Sequence, residues 1–114
     1  MKRSKEHIAP YPWGKDCLGW HLVNEPTLSV IQESMPPHTE EVAHKHEKSQ
    51  QFFYILKGEA TFEIGGTVHT IRKHEGIHIQ KNQVHQIKNK SEAELEFLVI
   101  SQPHAQKDRI NTNR

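Results

Sequence analysis

The sequence predicts an all-β fold, on three observations. From Leu28 onward the apolar residues fall in short β-branched or aromatic runs, turn residues separate those runs, and few segments are long or periodic enough for an amphipathic helix. Candidate strands cover residues 28–35, 51–56, 60–64, 67–72, 76–80, 85–88 and 95–101, each bounded by Gly, Pro, Asn, Lys or Glu clusters. The clearest local signal is a hairpin. Two alternating runs, 60–64 and 67–71, are joined by Gly65 and Gly66, which take positive φ at no steric cost. Short strands at this spacing must close into a barrel or stack as a sandwich, because an open sheet would leave unpaired edges and an uncovered apolar face.

Before the first of these strands, Tyr11, Trp13 and Trp20 suggest an N-terminal segment that docks on the rest. Between the first and second strands, Pro36 and Pro37 remove backbone donors and the polar residues after them favour a turn. The last dozen residues are polar and aperiodic.

A chain of 114 residues fits one domain. Although 33% of residues are apolar and the mean hydropathy is −0.82, the apolar residues are concentrated, as in an ordered protein with polar loops. Lys and Arg (15) nearly balance Asp and Glu (14), and past the first five positions the basic residues are scattered, so nucleic acid is not an expected partner. No apolar stretch approaches a membrane span, and Met1 to Lys5 are not followed by the apolar segment of a signal peptide. The expectation is a cytoplasmic protein with no membrane partner. The single Cys17 cannot form an internal disulfide, which agrees with a reducing compartment.

Ten histidines are far more than a chain of this length usually carries, and neutral imidazole is the commonest metal ligand. His44 and His46 are two apart, so an extended chain points both rings to one face. Gln51 shares parity with Phe53 and Ile55, and His85 with Ile87, so each is expected to point inward beside apolar neighbours. A buried amide there needs a partner. Glu33, Glu63, His78 and Tyr54 are general-base candidates by parity alone. The sequence carries no P-loop, dinucleotide-binding glycine motif, nucleophile elbow, Cys-x-x-Cys pair or zinc-protease helix motif.

The spacing from His44 and His46 through Gln51 to Gly58 resembles the first motif of the cupin family, and Gly76 to Asn89, ending His85-x-x-x-Asn89, resembles the second. The resemblance spans about residues 28–101. It implies a double-stranded β-helix, a jelly-roll-like barrel, with one divalent metal ion held inside. Carried over by position, the metal ligands are His44, His46, Gln51 and His85. Gln51 stands where the family's glutamate is expected, and Gln80 and Asn82 where proline and glycine are usual. Gln50 is the alternative if the spacing is one residue shorter.

On this reading residues 1–27 are an N-terminal arm or strand docking on the barrel or on a dimer partner, 28–101 the barrel and 102–114 a C-terminal tail. The resemblance also implies a homodimer. Three imidazoles and an amide suit Zn, Fe, Ni or Cu better than Mg or Ca. Four neutral ligands leave the ion its full charge, so the expected partner is a small, oxygenated, anionic molecule. Two functions follow: a metalloenzyme of oxygenase, isomerase, lyase or cyclase type, or a non-catalytic module that binds or senses a carbohydrate or acid.

Overall fold

The computed structural model describes residues 1–105 and 107–112, and among them the regular elements are all strands. In chain order these are β1 (Tyr11–Trp13), β2 (Cys17–Glu25), β3 (Leu28–Met35), β4 (Thr39–Glu40), β5 (His44–His46), β6 (Gln50–Lys57), β7 (Glu59–Ile64), β8 (Thr67–Arg72), β9 (Gly76–Ile79), β10 (His85–Asn89), β11 (Leu95–Gln102) and β12 (Arg109–Asn111). They form two six-membered groups: one sheet in the order β1-β2-β3-β11-β6-β9, and a second in the order β12-β5-β10-β7-β8 with β4 added on β10. The inner faces of the two sheets enclose one core, so the fold is a single all-β domain, as expected.

The predicted hairpin is β7–β8, with φ of 55° and 85° at Gly65 and Gly66 and pairing from Ile64↔Thr67 outward to Glu59↔Arg72. The N-terminal segment enters the same sheet: β1 pairs with β2, and β2 with β3. Arg109 to Asn111, within the segment expected as a tail, pair antiparallel with β5. Residues Thr39 and Glu40, read as part of a turn, make a short bridge to β10.

Three central strands of the first sheet share a register that organises the interior. Ser101 of β11 lies between Ser29 of β3 and Gln51 of β6, Val99 between Ile31 and Phe53, Phe97 between Glu33 and Ile55, and Leu95 beside Met35. Because side chains alternate across a strand, all of these face the same side. Met35, Ile55, Leu95 and Phe97 are fully buried and pack with Phe62, Ala60, Ile79 and Ile87 into the apolar core. At that end Asn89 is buried, and its amide donates to the carbonyls of Met35, Pro36 and Ala93 while its oxygen accepts from the Ser91 backbone and hydroxyl. One side chain thereby satisfies the backbone of two segments and closes the barrel there.

Candidate metal centre

At the other end the barrel opens on a cavity of about 460 Å³, whose lining includes Tyr11, Glu33, Glu41, His44, His46, Gln51 and Arg109. His44 and His46 come from the three-residue strand β5, and His85 begins β10, directly opposite His44. The ring centroids are 4.4 Å apart for His44 and His85, 5.0 Å for His44 and His46 and 6.0 Å for His46 and His85. One nitrogen from each of the three rings lies within 4.8 Å of the others, and all three residues are buried.

Backbone carbonyls set which nitrogen of each ring is available. His44 Nδ1 donates to the Val42 carbonyl at 2.8 Å and His85 Nδ1 to the Gln83 carbonyl at 2.9 Å, the same two-residue offset in both cases. The lone pair of each ring is then on Nε2. His85 Nε2 is buried with no hydrogen-bond partner. In His46 the ring bonds the Asp108 backbone, and it is Nδ1 that is buried and unpartnered. Burial, reinforced by neighbouring His85, pushes the pKa of His44 down to about 3; burial pushes His85 down to about 4 and lowers His46. All three rings are therefore neutral at physiological pH, the form that ligates a metal.

Gln51 lines the same cavity as His44 and His46. Its Nε2 donates to Ser101 Oγ at 2.9 Å, which fixes the amide, and its Oε1 is buried without a partner. Gln50 points the other way, bonding exposed Gln102 and His78. Unpaired buried polar atoms are rare because each forgoes its bonds to water. Three of them are His46 Nδ1 and His85 Nε2, in the histidine cluster, and Gln51 Oε1, on a residue that lines the cavity beside His44 and His46. This donor set fits a divalent transition ion, with imidazole nitrogen dominant and an amide oxygen accepted.

Around this group lie residues the sequence did not single out. Arg109, paired in register with His46, approaches Glu41 Oε2 at 3.7 Å and donates to the Val42 carbonyl. Glu41 Oε1 is 3.8 Å from His44 Nδ1 and is buried. Asp108 accepts hydrogen bonds from the backbone of Glu47, Lys48 and Ser49, pinning the loop that joins His46 to β6. Desolvation pushes its carboxyl up, but the three donors outweigh it and hold the pKa below its ordinary value. Ser101 was reachable by parity from Phe97 and Val99; Arg109 and Asp108 carried no periodic signal, being in or beside a three-residue strand.

Of the general-base candidates, only Glu33 lines the cavity. Glu63 pairs with Lys88 at 2.6 Å, His78 is exposed, and Tyr54 stacks on His74 with centroids 6.5 Å apart. Asn82, in the place of a usual glycine, takes φ of 66°, a left-handed conformation that asparagine tolerates better than most residues.

Residues 31–101 match the family model of the cupin domain. The chain belongs to the cupin family. A region of 66 residues is 32% identical to an oxalate-binding protein of Thermotoga maritima, covering 58% of this chain and 54% of the relative, so the chain spans about half the length of that relative. Among solved structures, a predicted oxalate decarboxylase from Thermotoga maritima superposes with a TM-score of 0.85 at 23% identity, over 91% of this chain and all of the other. A Klebsiella pneumoniae protein with a double-stranded β-helix domain superposes with a TM-score of 0.80 at 17% identity, over 96% and 93%. The two-sheet barrel is thus the double-stranded β-helix of the cupins, with three histidines positioned to bind a metal ion.

Proposed function

We propose that this cupin binds a small oxygenated carboxylate at a divalent transition metal held by His44, His46, His85 and Gln51. The observation that carries the reading is the cluster of three buried histidines, together with the buried, unpartnered atoms of His46, His85 and Gln51. A bound ion would supply a positive charge that draws a carboxylate oxygen and polarises it. The chain's own residues give that ligand its surroundings. Arg109 lies 3.7 Å from Glu41 Oε2 and offsets its negative charge, which would otherwise repel an anion. Ile31, Phe53 and Val99 form an apolar wall that excludes water from one side of the cavity. The name of the oxalate-binding relative supports a small carboxylate as the ligand class.

Calorimetric titration of oxalate into zinc-loaded and metal-free protein tests this. Binding at least about tenfold tighter to the loaded form is expected; equal binding, or none, contradicts it. A second reading, turnover of the bound ligand, is favoured by Glu33, whose carboxyl is pushed by burial to a pKa of about 8 inside the cavity, close to the pH at which proton transfer works best. A homodimer belongs to the same proposal, since β1, β9, β12 and β8 end the two sheets and pairing would cover such edges. A monomer by light scattering would remove it.

A further inference from the structure

Strands β1, β2 and β3 place Tyr11, Gly19 and Glu33 in one row: Tyr11 pairs with Gly19, and Gly19 with Glu33. The middle position has no side chain, and the tyrosine uses the gap. A Cβ on Gly19 would come 2.6 Å from the Tyr11 hydroxyl oxygen, too close for any real side chain. Tyr11 therefore lies across Gly19, stacked on His21 with centroids 4.8 Å apart, and its hydroxyl donates to Glu33 Oε2 at 3.2 Å. Tyr11, His21 and Glu33 all line the cavity that holds the histidines.

We propose that Glu33, clamped by Tyr11 across Gly19, is a specificity residue of the cavity that hydrogen-bonds an uncharged oxygen, a hydroxyl or carbonyl, of a small carboxylate whose charged end lies at the histidine cluster. The inference rests on the proposed metal-dependent carboxylate binding and narrows its ligand class. Glu33 stands in the row of Phe97, an apolar neighbour, while Arg109 is engaged by Glu41. Tyr11 occupies one carboxyl oxygen, leaving the other for a ligand. Burial, with the charge of Glu41 behind it, pushes the Glu33 carboxyl up to about 8 against the opposing effects of Tyr11 and Arg109. At neutral pH the group is then a carboxylic acid that accepts from Tyr11 and donates to the ligand.

The test compares 3-hydroxypropionate with propionate, and 4-hydroxybutyrate with butyrate, by calorimetry on zinc-reconstituted protein whose metal content is measured in every variant. Wild type is expected to favour the better-fitting hydroxy acid over its parent by about three- to tenfold, the value of one hydrogen bond. Glu33→Leu should abolish the preference while leaving metal content unchanged. Glu33→Gln should keep it, because the amide also accepts from Tyr11 and donates to the ligand. Tyr11→Phe should reduce it, and decides the matter if Glu33→Leu does not fold. The inference is overturned if wild type shows no preference, if Glu33→Leu or Tyr11→Phe leaves it intact, or if Glu33→Gln loses it as fully as leucine. Failure of the underlying reading looks different: no metal retained, or neither member of a pair binding in a metal-dependent way.

Discussion

The two ends of the barrel are built from the same strands and differ in what those strands carry inward. On β11 the inner positions run Leu95, Phe97, Val99, Ser101; on β6 they run Ile55, Phe53, Gln51; on β3, Met35, Glu33, Ile31, Ser29. At the closed end the polar groups are fully paired, as Asn89 is by five hydrogen bonds to neighbouring main chain and Ser91. At the open end His46, Gln51 and His85 each keep a buried atom with no partner. Both ends bury polar side chains, but only one of them satisfies those side chains internally. A fold with an apolar floor rigid enough to hold strands in register can leave donors unpaired at its mouth, where a ligand takes them up.

The contrast predicts that substitutions at the two ends fail in different ways. The largest effect is expected from Phe62→Ala, which opens a void in the apolar core and should cost about 3–5 kcal/mol in chemical denaturation. His85→Ala should lower the stability of metal-free protein by clearly less, since it removes an unsatisfied atom along with its packing. If the two cost the same without metal, the open end is structural and the distinction fails. Asn89→Ala should cost about 1–3 kcal/mol, by stranding the carbonyls of Met35, Pro36 and Ala93, without altering metal content.

A smaller, pH-dependent effect separates Glu33 from its surroundings of Tyr11, Glu41 and Arg109. The folded protein holds the Glu33 proton up to about pH 8, whereas the unfolded chain releases it near the ordinary value of 4.5. The native state binds more protons between these values, so wild-type stability falls as pH rises through the window. Glu33→Gln carries no such penalty. Its melting temperature relative to wild type should climb from pH 5 to pH 9, and a constant difference would show that Glu33 is ionised in the fold.

Much of the strand pattern was legible. The expected strands 28–35 and 67–72 coincide with β3 and β8, and the other five overlap β6, β7, β9, β10 and β11, where period-two patterning or Gly-Gly turns are strong. The nine-residue strand β2 was not, because a bulge between His21 and Val23 breaks the alternation and Gly19 sits within it. The short strands β5 and β12 carry too few residues for any period. In the site, parity placed Gln51 and His85 on the inner face, and two-residue spacing did the same for His44 and His46. Tyr11 was legible as a docking aromatic but not as a cavity residue, and Glu41 and Arg109 carried no signal, since all three are placed by bonds between distant segments that no local pattern encodes.

The central claim is that the unpaired donors at the open end hold a metal, and elemental analysis of untagged protein, purified without added metal or chelator, tests it most directly. About one Zn, Fe, Ni or Cu per chain is predicted for wild type, with occupancy falling to roughly a tenth or less in His44→Ala and His85→Ala. Wild-type protein that stays metal-free after reconstitution with each of these ions, or either variant retaining full occupancy, would contradict it.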